Sequence, residues 1–141
     1  METKHLLTEN SDWATVVEFA YPEGKIVSSK GEIHIKVSSG QVIRKFWFEH
    51  EVGKIDCIFN AKPTAPNSYT YESNIIKCMG KEKGTVQINQ NRLYCKFVVV
   101  DTLMNGFEIT IHKGDICYID GALYHDQKLI MTWTATANKM K

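Results

Sequence analysis

From residue 25 onward, apolar and polar residues alternate almost without a break. In "GEIHIKV" Ile33, Ile35 and Val37 share one face while Glu32, His34 and Lys36 share the other. An alternation of this kind is the repeat of a β-strand, whose successive side chains point to opposite sides. "SSG" breaks the run, "QVIRKFWFEH" follows and "EVGK" ends it. "KIDCIFNA" then gathers Ile55, Cys57, Phe59 and Ala61 on one face, and "KPTAPNS" is the longest turn-like stretch. Beyond it come "SYTYES" with "NIIKCM", the turn "GKEKG", and "TVQINQNRLYCKFVVVD", in which "NQN" is a tight turn or a bend. "FEITIH", "ICYID" and, after "LYHDQ", a last strand complete the chain. That makes about nine strands on short turns, with no helical pattern long enough for a parallel crossover. The topology implied is an antiparallel meander of about 8–10 strands, and closing it into a barrel removes its two exposed edges.

The front of the chain reads two ways. In "SDWATVVEFAYPEG" Trp13, Val16, Val17 and Ala20 fall at helical spacing, with Ser11 as N-cap and Pro22 as a stop. The same stretch alternates as a strand, with Trp13, Thr15, Val17 and Phe19 together. The helical reading gives a short helix or lid over 1–24 and a β-meander over 25–141, within one domain spanning 1–141. At 141 residues the chain is long enough to bury a single sizeable core.

Seventeen basic residues against sixteen acidic ones exert no general pull on nucleic acid or anionic lipid. No apolar run approaches the roughly 20 residues of a membrane-spanning helix. "METKHLLTENSDW" lacks the apolar run and cleavage site of a secretory signal, so the expected compartment is the cytoplasm. Cys57, Cys78, Cys95 and Cys117 show neither C-x-x-C nor zinc-finger spacing, and read as reduced, packed thiols.

Trp13, the "YPEG" turn and the long meander together resemble the lipocalin-like (calycin) barrels. Within that class Trp13, Tyr21, Pro22, Gly24 and Ser28 resemble the opening of some cytosolic bacterial members. The G-x-W signature of secreted lipocalins is absent, Ser11 standing where its Gly would be, and so is the C-terminal Arg-x-Tyr of fatty-acid-binding proteins. The resemblance implies a barrel with an internal cavity for a small, largely apolar molecule.

The last strand bears on whether such a cavity is open. In "LIMTWTATANKMK" Leu129, Met131, Trp133, Ala135 and Ala137 share a face that shrinks along its length. With Trp133 inward, the two alanines line space, unless bulky neighbours fill it. Arg44 shares a face with Val42, Phe46 and Phe48, so an inward Phe pair brings a guanidinium inside. There it must be paired, either with the anionic head of a ligand or in an internal salt bridge to Asp56 or Glu72. In the opposite reading Ile43 and Trp47 face inward and Arg44 meets solvent. Tyr69 and Tyr71 are candidate wall residues, each offering apolar area with one hydrogen-bonding tip. His34 and His112 sit opposite apolar faces and read as solvent-facing, and His125 reads as a turn residue. His50, at a strand end between Glu49 and Glu51, is the histidine best placed for acid–base work or haem ligation.

No nucleophile elbow, phosphate loop, dinucleotide fingerprint or metal-ligand spacing appears, so no cofactor is identified. Three readings follow. The first is non-catalytic binding of a small apolar or amphipathic molecule, anionic if Arg44 meets its head, by Arg44, Phe46, Phe48, His50, Tyr69, Tyr71 and Trp133. The second is an isomerase or lyase using Tyr69, Asp56 or His50 in a dry interior. The third is a filled barrel that meets a protein partner through Trp47. The oligomeric state stays open, a homodimer included.

Overall fold

The structure, a computed structural model, describes residues 4–50, 53–77 and 79–141, with the side chain of His50 outside that description. Cys78 also lies outside the described residues. The described residues form ten strands: β1 (Ser11–Ala20), β2 (Ile26–Ser38), β3 (Gln41–His50), β4 (Gly53–Ala65), β5 (Ser68–Ile76), β6 (Gly80–Asn89), β7 (Arg92–Val99), β8 (Met104–Lys113), β9 (Ile116–His125) and β10 (Lys128–Lys139). Each pairs antiparallel with its neighbours in sequence, and β1 closes on β10 from Trp13 opposite Lys139 to Ala20 opposite Thr132. This is an all-β meander closed into a barrel, as the alternation implied, and the closed barrel is of the lipocalin-like type that the resemblance implied. "NQN" is a tight turn, separating β6 from β7.

The helical reading of the front does not hold. Residues 11–20 are a strand, and the described helical structure is a single 3-10 turn over Leu6–Thr8. The reason is closure. As a strand this segment buries Trp13, Thr15, Val17 and Phe19 along one face. It also bonds to β2 on one side and β10 on the other, whereas a helix would leave both of those edges unpaired. Ser11, expected as an N-cap, instead accepts a hydrogen bond from Trp13 Nε1 at 2.8 Å. The N-terminal turn lies across one end of the barrel. Leu7 joins the core there, and the His5 ring meets Tyr69 edge-on at 6.0 Å.

Strand β8 faces opposite to expectation. Glu108 and Thr110 point into the lumen, and His112 packs edge-on against Trp13 at 5.7 Å instead of facing solvent. Phe107, Ile109 and Ile111 lie outside, where Ile109 pairs with Tyr94 and Ile111 with Tyr118. Register decides this, because slipping a strand by one residue exchanges its faces, and both flanking hairpins fix β8. His34 does lie on the outer surface, clamped between Asp12 (2.6 Å) and Glu32 (2.9 Å).

Candidate functional site

The barrel encloses a cavity of about 580 Å³. Glycines under aromatic rings keep it open. Gly121 on β9 stands between Trp133 on β10 and Glu108 on β8. A Cβ there would overlap Cε2 and Cζ2 of the indole, so the ring lies flat across the glycine. Lying flat, it delivers Nε1 to Glu108 Oε2 at 2.9 Å. Gly84 and Gly106 seat Tyr71 and Phe97 in the same way, each ring 2.6 Å from where a Cβ would stand. Rings pressed onto the wall leave the lumen free.

Arg44 faces inward with Val42, Phe46 and Phe48. Ile43 does not line the cavity, and Trp47, though it borders it, turns its ring to the exposed Lys54, so the reading that put Ile43 and Trp47 inside is overturned. The guanidinium lies over the rings of Phe46 and Phe59, 5.1 and 5.5 Å from their centroids. Its Nη2 is 3.5 Å from Glu108 Oε1. β3 and β8 stand on opposite sides of the ring of ten strands, so this ion pair spans the lumen. The internal salt bridge therefore forms, but with neither Asp56 nor Glu72. Both of those are on the outside, Asp56 near Lys54 and Glu72 near Lys81 and Lys83.

A second polar group sits beside the first. Cys95 Sγ donates to Tyr71 Oη at 3.2 Å, Tyr71 donates to Glu82 Oε1 at 3.3 Å, and the Glu82 amide donates to Ser73 Oγ at 2.8 Å. Burial, reinforced by the nearby Glu108 carboxylate, pushes the Glu82 carboxyl up to about 7. Burial raises the Tyr71 phenol as well, and pushes the Cys57 and Cys95 thiols to about 12 and Cys117 to about 11. These three thiols are free and un-ionised at neutral pH.

Of the residues singled out in the sequence, Arg44, Phe46, Phe48, Tyr71 and Trp133 share the cavity wall. Tyr69 does not line it, packing instead at the end that the N-terminal turn covers. The backbone of His50 ends β3 opposite Gly53, and its side chain lies outside the described residues. Met131, Ala135 and Ala137 line the cavity as the last strand promised. Leu129 does not, because a register shift between Leu129 and Met131 turns it outward and brings Ile130 to the lumen. The catalytic set of Tyr69, Asp56 and His50 is not assembled: Asp56 is exposed on the outer surface, away from the cavity wall. Trp47 belongs to the outward face of β3, half-buried, with Lys54 Nζ 4.7 Å from its ring centroid. Glu82 and Glu108 went unread in the sequence. Glu82 lies in "GKEKG", which reads as a turn but opens β6, and Glu108 lies on the polar face of "FEITIH", which reads as the outside.

Among the described residues no group of three or more His, Cys, Asp or Glu side chains is placed to hold a metal ion. No described helix is long and apolar enough to cross a membrane.

No family model matches this sequence, and no curated protein does. Among solved structures, the crystal structure of Rv2717c from M. tuberculosis is similar with a TM-score of 0.74. The match covers 93% of this chain and 92% of that one at 10% sequence identity, a likeness of fold alone.

Proposed function

We propose that this protein binds, non-covalently, a small and largely apolar molecule with one polar end inside its barrel. The observation that carries the reading is the cavity of about 580 Å³, a size ordinary for small-molecule sites. Phe46, Phe48, Phe97 and Val17 supply apolar wall, while Arg44, Glu108, Trp133 Nε1, Tyr71 and Glu82 supply a few convergent polar groups. Apolar surface provides affinity in such a site and the few polar groups orient the ligand. Arg44 is already matched by Glu108, so the head need not be anionic. The free thiols of Cys57, Cys95 and Cys117 support a cytoplasmic setting.

The test is titration with a neutral environment-sensitive dye such as N-phenyl-1-naphthylamine, read by dye emission and tryptophan quenching. Saturable uptake is expected in the wild type. Ala135→Phe, which sends a ring from the wall into the lumen, should weaken it about tenfold or more with an unchanged circular dichroism spectrum. No uptake, or equal uptake by Ala135→Phe, would overturn the reading.

A further inference from the structure

Two described basic residues, Arg44 and Lys77, and three acidic ones, Glu32, Glu82 and Glu108, border the cavity, Glu32 being bonded to His34 on the outer surface. Arg44 closes on Glu108, and the other Glu108 oxygen takes the Trp133 N–H. Glu82 is treated differently. It is 6% exposed, it lines the cavity, and among the described residues its side chain receives only the Tyr71 hydroxyl at 3.3 Å. Among the described residues no Lys, Arg or His lies within ion-pair distance of it. A buried carboxylate left so must keep a proton or acquire a cation.

We propose that the polar end selected by this cavity is cationic, the protonated amine of a small amphipathic molecule, received by the Glu82 carboxylate beside Tyr71. This rests on the reading of the lumen as a binding site and deepens it by assigning the sign of the ligand's charge. An ammonium at Glu82 supplies the missing counter-charge, and the neighbouring aromatic faces of Tyr71, Phe59 and Phe97 favour a cation further. An anionic head meets the reverse situation. Beside Lys77 it would leave Glu82 unmatched, and it could take Arg44 only by displacing Glu108, leaving two carboxylates without partners.

Proton linkage follows. The groups around Glu82 are Tyr71 on β5, Cys95 on β7, Glu108 on β8, Arg44 on β3 and Cys57 on β4. Of these, the phenol and thiols stay neutral through the neutral range, whereas the Glu82 carboxyl changes charge there. With its carboxyl raised to about 7, Glu82 is mostly protonated in mild acid and ionised above neutrality. Amine affinity therefore rises with pH across neutrality for as long as the amine itself stays protonated.

Octylamine, 1-octanol and octanoate share one chain length and differ in head charge. Each is competed against bound N-phenyl-1-naphthylamine at about pH 8.5, with wild type and with Glu82→Gln, an isosteric change that removes the charge and keeps an acceptor for Tyr71. Octylamine should displace the dye at a concentration about tenfold or more below octanoate, with octanol between them. In Glu82→Gln the advantage of octylamine over octanol should fall to within about threefold. Wild-type octylamine affinity should weaken about tenfold or more on acidification to about pH 5.5, and Glu82→Gln should show no such change. An octanoate affinity equal to or above that of octylamine overturns the proposal. So does an octylamine advantage that survives Glu82→Gln, or a wild-type affinity indifferent to pH. If 1-octanol binds in any of those cases, the cavity reading stands and only the charge assignment falls. If none of the three displaces the dye, the charge assignment falls, and the cavity reading falls with it if Ala135→Phe takes up the dye equally.

Discussion

Gly121→Ala is the sharpest single test of how the lumen is built. The added methyl would stand inside the van der Waals envelope of the Trp133 indole, so the ring must lift off the wall into the cavity. Lifting it removes the 2.9 Å hydrogen bond from Nε1 to Glu108, and with it one of the two contacts that hold the carboxylate ending the Arg44 bridge. Overpacking of this kind costs about 1–3 kcal/mol. Loss of a hydrogen bond to a charged acceptor costs about 1.5–3 kcal/mol. Replacing a strand glycine returns about 0.5–1 kcal/mol. The net expectation is a loss of about 2–4 kcal/mol, a large fraction of an ordinary domain stability. In a Trp133→Ala background the ring is gone, so the same substitution should be neutral or slightly stabilising. Urea unfolding followed by circular dichroism at 25 °C measures all four members of this cycle. The coupling between the two sites should be about 2–5 kcal/mol. A cost below about 1 kcal/mol, or one equal in the two backgrounds, would refute the idea that the glycine exists to seat the indole.

Four further outcomes follow from the same geometry. Arg44→Met should cost about 1–3 kcal/mol, below the full buried-pair range because both partners keep about a fifth of their surface open (22% and 20%), and adding Glu108→Gln should recover at least half in urea titrations. The Glu82 carboxyl is raised from 4.5 to about 7, so folding favours its protonated form, and stability present in acid is lost as pH rises through neutrality. Glu82→Gln should therefore flatten that decline and gain on the order of 3 kcal/mol at alkaline pH relative to acid; a decline equally steep in the variant would count against the burial argument. His34, raised above 6.5 chiefly by its hydrogen bond to Asp12, favours folding fully below its ordinary value and less as pH climbs through the raised one. Its clamp is partly exposed, so His34→Gln should cost under about 1 kcal/mol, more in mild acid than at alkaline pH, and less in high salt. Finally, Asp126 and Gln127 both hold positive φ (48° and 69°) in the β9–β10 turn, so Gln127→Gly should raise the urea midpoint by about 0.5–1 kcal/mol of stability.

Much of the architecture is written in one dimension. Alternation, short turns and the absence of a crossover helix dictate an antiparallel meander, because strand faces follow from residue parity and short loops join only neighbouring strands. Val42, Arg44, Phe46 and Phe48 go inward together for the same reason, and Met131, Trp133, Ala135 and Ala137 likewise. Whether residues 11–20 form a helix or a strand is not decided locally, since both periods fit "SDWATVVEFA". The edges of β2 and β10, distant in sequence, settle it by needing a partner. The Leu129/Met131 shift reverses the parity of the last strand at its start, and no count along the sequence finds it. The site itself is a product of closure. Arg44 meets Glu108 only because a ring of ten strands places β3 opposite β8, and Glu82 stays without a cation because no described basic side chain is carried to it. Parity along a strand determines which residues enter the lumen, whereas which of them meet across it depends on strand number and register, quantities that exist only once the barrel has closed.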